Sequence, residues 1–224
     1  MHRTRLFTAL ALFCFVTGGI ASAQRGTIPG VGMTGPAKKD HTGFKFTEGP
    51  IGDADGNVYF TDPSFRAPMP LPQGKTCVYY ADAAGKVTRL IDDLPNPNGV
   101  RLSPDEKTLY VFPSGQKQMM SFPVEAPGKI GQGKVFCELE QAKAGGNSGG
   151  DGGTIDEKGN VYIAAGTGVQ VFDPSGKMLG TIKFPEQPSN ATFGGKDMKT
   201  LYVTARTSVY SCPMEVAGHR YPGK

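Results

Sequence analysis

The chain has 224 residues, with 32 Gly and 18 Pro, both above their usual shares of roughly 7% and 5%. Both residues are poor inside helices, which excludes a helical bundle and suits an all-β chain with many turns, while 38% hydrophobic residues can fill a core. The net charge of +4 is scattered, with no Lys/Arg run longer than Lys38-Lys39, and this excludes the basic patch of a nucleic-acid binder.

Residues 1–23 read as an export signal. Met1–Arg5 is basic, Leu6–Ile20 is mostly apolar, and Ala21-Ser22-Ala23 is a small-x-small cleavage site before Gln24. The apolar run falls short of the roughly 20 residues that span a bilayer. A secreted or periplasmic protein with no membrane span after cleavage at Ala23 is therefore expected. Residues 24–45 form a Gly- and Pro-rich linker, in which a stretch of Thr27–Lys45 is expected to serve as a closing strand. Residues 46–216 carry the folded domain, and residues 217–224 a tail.

Within that domain one pattern recurs, a turn followed by a short apolar strand. It appears as Asp55–Thr61, Asp105–Val111, Glu157–Ile163 and Asp197–Val203. Its tyrosines, Tyr59, Tyr110, Tyr162 and Tyr202, are 51, 52 and 40 residues apart. That interval matches propeller blades of roughly 40–50 residues. Further strands are predicted at Cys77–Ala81, Lys86–Ile91, Gln118–Val124, Lys134–Leu139, Gly153–Asp156, Asn160–Ala164, Val169–Phe172, Met178–Phe184 and Ser208–Met214. The fourth unit lacks its outermost strand. Pro68–Pro72 and Ala142–Gly150 read as loops, and no segment has helical periodicity. Cys77, Cys137 and Cys212 match no metal spacing. They allow either one disulfide with a free thiol or three buried thiols.

A polar residue opens each unit at nearly the same phase: Glu48, Asn98, Asp151 and Asn190. Equivalent positions on innermost strands converge on a propeller's central channel. Two carboxylates and two amide oxygens there suit a hard cation. Only His41 and His219 lie beyond the signal, so a multi-histidine zinc site is excluded. The bland reading is that Asn, Asp and Gly at strand entries are turn formers.

Phe46-Thr47-Glu48-Gly49-Pro50, Pro97–Asp105, Asp151-Gly152 and Phe193-Gly194-Gly195 resemble the gluconolactonase family, the SMP-30/regucalcin-like β-propeller lactonases. Tyr59–Pro63 and Leu201–Arg206 are similar to its bacterial members. The resemblance implies a six-bladed propeller holding one divalent cation, calcium ahead of magnesium, manganese or zinc. It implies Glu48, Asn98 and Asp151 as three of four metal ligands. The family's Asn-Asp motif has no match here, and Asn190 is expected from repeat phase to replace it. Phe112-Pro113 also departs from relatives, which carry small or acidic residues facing the pocket there. The implied activity is hydrolysis of a sugar-type lactone, with Asp151 as catalytic base as well as ligand, and Arg101 and Asp62 as substrate-binding residues. The alternative is a shortened, non-catalytic propeller that binds a carbohydrate or a protein. Only about four four-stranded blades fit the chain. The shortfall leaves open a four-bladed ring, an open or incomplete one, or a ring completed by another chain in an oligomer.

Overall fold

The computed structural model describes residues 48–52, 58–62 and 76–221, all within one compact unit, His41–Lys224. The export signal, the expected closing strand within Thr27–Lys45 and the Pro68–Pro72 loop lie outside the described residues. Among those described there is no helix.

The strands form four antiparallel sheets. The first is β1 (Glu48–Gly52), β2 (Val58–Asp62), β3 (Cys77–Ala81) and β4 (Val87–Ile91), in that order. The second is β5 (Pro97–Leu102), β6 (Thr108–Pro113) and β7 (Gln118–Ala126), whose far edge takes both β8 (Lys129–Ile130) and β9 (Lys134–Glu138). The third is β10 (Gly153–Ile155), β11 (Val161–Ala165), β12 (Gly168–Phe172) and β13 (Met178–Ile182). The fourth holds three strands, β14 (Pro188–Gly194), β15 (Thr200–Ala205) and β16 (Ser208–Pro213), as the sequence led one to expect. The short β8 was not expected.

Aspartates fix the turns. The Oδ1 atoms of Asp82, Asp105, Asp156, Asp173 and Asp197 each accept a backbone N–H two or four residues on, at 2.7–3.1 Å. A short carboxylate can close such a turn against its own backbone, which is why Asp recurs before each strand pair. Asp156 is wholly buried and also takes the Asn160 amide at 2.7 Å and the Tyr162 hydroxyl at 3.1 Å.

The core lies between sheets. Because side chains alternate along a strand, β6 sends Leu109 and Val111 toward the first sheet, with Tyr59, Val78 and Tyr80. It sends Tyr110 and Phe112 toward the third, with Val161, Ile163 and Phe172. On β11, Tyr162 faces the fourth sheet, with Phe193, Leu201 and Val203. The repeat tyrosine is thus the residue each blade presents to the next. Tyr59, Tyr110 and Tyr162 are 2%, 5% and 4% exposed, whereas Tyr202 is 40% exposed. Among the described residues, no strand joins the fourth sheet to the first. The fold is a propeller of about four blades, and the described strands match the open or incomplete form among those the sequence left open.

Phe172 is 1% exposed and meets Phe136 edge-on at 6.3 Å. Phe172→Ala should lower the unfolding free energy by about 3–5 kcal/mol in a denaturant titration, because a core cavity cannot fully collapse.

The tail is part of the fold. Glu157 N donates to Ala217 O at 2.9 Å, Gly218 N to Met198 O at 2.9 Å, and His219 N to Ile155 O at 3.0 Å. The Tyr221 hydroxyl donates to Leu102 O. Residues 217–221 therefore clasp the second, third and fourth sheets at the C-terminal ends of β5 and β10. Cys77, Cys137 and Cys212 are all free thiols, so the disulfide alternative falls. Burial pushes the Cys137 thiol up to about 12.

Candidate metal centre and active site

The inner strands β1, β5, β10 and β14 each begin within two residues of one of the four polar positions singled out above, and each begins irregularly. On β1 the register with β2 shifts between Glu48 and Ile51. On β5 it shifts between Pro97 and Gly99, which leaves Asn98 as the extra residue. Ahead of β10, Asp151 N donates to Ala164 O while Ala164 N donates to Gly152 O, so two residues face one. On β14 the shift falls between Pro188 and Asn190. A bulge turns a side chain out of the strand's alternation and is frequent beside active sites. Turn formation alone would not put the same irregularity at the head of every inner strand.

The bulges bring Asn98 and Asp151 into contact. Asn98 Nδ2 donates to Asp151 Oδ1 at 2.8 Å across 53 residues of sequence. The same Nδ2 donates to Ser114 Oγ at 3.1 Å, and Ser114 Oγ donates to Gly150 O at 2.8 Å. Asn98 is 3% exposed. Burial pushes the Asp151 carboxyl above its ordinary value, against the pull of the Asn98 amide and the Gly152 N–H. Asn190 completes the row. Gly152 N donates to Ser189 O at 2.9 Å, and a Cβ on Gly152 would overlap the Asn190 amide. Asn190 is exposed, and its Oδ1 accepts from Ala191 N at 2.9 Å.

The remaining expectations fall differently. Glu48 and Asp62 lie on β1 and β2, with Glu48 opposite Thr61. Their side chains are outside the described ones. Arg101 lies three residues further along β5, toward the tail. Its Nη1 donates to Val100 O at 2.6 Å, and burial disfavours its charge. Phe112 does not face the pocket as expected. It is fully buried between the second and third sheets. Ser114 was not anticipated, although a hydroxyl directly after the strand paired with Asn98 was the available signal.

The donors fit a hard cation. They are amide and carboxylate oxygens, and Asp151 is a half-buried carboxylate whose charge is incompletely offset by two N–H groups. Among the described residues no three His, Cys, Asp or Glu side chains come together.

The family described as SMP-30/gluconolactonase/LRE-like region matches residues 33–207. The chain belongs to that family. A gluconolactonase from Zymomonas mobilis is 31% identical over 173 residues, covering 69% of this chain and 46% of that protein. A lactonase, drp35, from Staphylococcus epidermidis is 30% identical over 177 residues, 76% of this chain and 51% of its own. Among solved structures, a Xanthomonas campestris gluconolactonase aligns with a TM-score of 0.64 at 32% identity, over 73% of this chain and 55% of that one. A regucalcin from Agrobacterium tumefaciens shares the fold, with a TM-score of 0.67 at 24% identity. This chain spans about half the length of the curated relatives it matches.

Proposed function

We propose that this SMP-30/gluconolactonase member hydrolyses a sugar-type lactone, with a divalent cation, calcium first, held by Asp151, Asn98, Asn190 and Glu48. The observation that carries the reading is the 2.8 Å contact between Asn98 and Asp151 at the heads of two inner strands. A bound cation would supply Lewis acidity toward the lactone carbonyl oxygen and a water. Asp151 accepts the water proton as the water oxygen adds to the carbonyl carbon. The ring C–O bond then breaks, and the proton passes from Asp151 to the departing alkoxide to give a hydroxy acid. Asn98 holds Asp151 in place during both transfers. Arg101 and Asp62 remain proposed contacts for substrate hydroxyls. The export pattern of residues 1–23 would put the reaction in the secreted or periplasmic space.

Purified protein should open an aldonolactone, and EDTA should remove that activity, with recovery when Ca²⁺ is restored. Hydrolysis that survives EDTA would sink the metal mechanism. Cation binding without turnover on a panel of lactones would favour a binding propeller.

A further inference from the structure

We propose that Ser114 is the positioning residue of this centre, setting which way the Asn98 amide faces. The inference rests on the cation reading above. Its basis is proton direction. The Gly150 carbonyl can only accept, so the Ser114 hydroxyl must spend its proton there, at 2.8 Å. Ser114 Oγ is then left as an acceptor toward Asn98, and the amide must turn Nδ2 toward it, at 3.1 Å. Asp151 Oδ1 takes the other N–H at 2.8 Å. With both hydrogens of Nδ2 directed at these two oxygens, Asn98 Oδ1 is turned to the opposite side of the amide.

Asp151 alone would be a poor anchor. The last torsion of an Asn side chain is broad, and Asp151 is itself a candidate ligand whose oxygens a cation would draw away. Ser114 has no such competing role. It also ties the two strand heads together. Ser114 N donates to Asn96 O at 2.8 Å, and Gly149 N donates to Ser114 O at 3.2 Å. One residue at the end of β6 thereby holds the segment before Asn98 and the segment before Asp151.

The test is calorimetric titration of Ca²⁺, Mg²⁺ and Mn²⁺ into the full-length protein and its variants, with the melting temperature of the metal-free protein recorded alongside. Ser114→Ala should weaken cation affinity by about 10–100-fold, the usual cost of removing a group that orients a ligand. The metal-free melting temperature should fall by only a few degrees, roughly the cost of two lost hydrogen bonds, with the protein still folded. Ser114→Thr, which keeps the hydroxyl, should recover most of the affinity. In an Asn98→Ala background, Ser114→Ala should cause no further loss, since its effect runs through the amide. Unchanged affinity in Ser114→Ala would overturn the assignment, as would a loss of equal size in the Asn98→Ala background. A parent protein that binds none of the three cations would overturn the metal reading and this inference with it.

Discussion

Asp151→Ala is expected to reduce lactone hydrolysis by at least about 10³-fold, within the range for removing a positioned general base. The same change should weaken cation binding, because both roles are proposed for this one side chain. Asp151→Asn separates the two roles. It keeps an oxygen donor and nearly the same volume, but cannot take a proton from water. It should retain more cation affinity than Asp151→Ala while turnover stays lost. If Asp151→Asn turned over lactone at the parent rate, the base would lie elsewhere.

The pH dependence follows from the direction of the Asp151 shift. Burial raises its carboxyl above the ordinary value of 3.8. The folded, metal-free chain therefore holds this proton more tightly than the unfolded chain does. Asp151 then makes stability fall as pH rises from about the ordinary value to the raised one, and the penalty persists above it. In the metal-free protein the Asp151 carboxyl should therefore titrate above the range of an exposed aspartate, read from its carboxyl carbon in an NMR pH series. Added Ca²⁺ should move that titration downward, because a cation favours the charged form. A titration unmoved by Ca²⁺ would count against Asp151 as a ligand.

Much of this arrangement was legible in residues. The strand heads at Asn98, Asp151 and Asn190 could be placed because the same polar-then-apolar order recurs with each tyrosine. The three strands described for the last sheet were equally plain, because the polar opening at Asn190, the tyrosine strand at Tyr202 and the run Ser208–Met214 follow one another in sequence. Three things were not legible, each for a physical reason. Phe112 was expected at the pocket, but strand alternation puts its side chain on the same face as Tyr110, between the second and third sheets. What surrounds Arg101 was not legible either: the resemblance to the family's pocket motif singles it out, but its donation to Val100 O at the end of β5, where the tail returns, leaves no mark in the sequence. The tail itself carries no strand pattern. Its order comes from backbone hydrogen bonds to Ile155, Glu157 and Met198, and from Tyr221 packing beneath the first two sheets. Such contacts are long-range and leave no local periodicity to read.

The Gly-rich segment before Asp151 yields the second large effect. In sequence it reads as a loop, and it has no strand or helix in the structure. Its glycines are nonetheless specific. A Cβ on Gly149 would fall on the Pro113 carbonyl oxygen and within 2.5 Å of the Gln116 carbonyl oxygen. Both obstacles are backbone, held in place by Gly150 N donating to Pro113 O at 3.1 Å and by the end of β6. They cannot swing aside as a side-chain tip would. Gly149→Ala must therefore lift the loop away from β6, and Asp151, two residues on, must move with it. A displacement of about 1 Å in a reacting group can cost on the order of 10²-fold in rate. Gly149→Ala should thus lose activity on that scale, although residue 149 has no functional group. Its cation affinity should fall as well, since Asp151 and Asn98 would no longer meet. By contrast, Gly145→Ala, in the same loop, meets nothing within 4 Å, although its positive φ of 73° adds local strain. It should lower stability modestly and leave affinity nearly unchanged. Equal losses of affinity in the two variants would mean that loop flexibility, and not its seat on β6, positions Asp151.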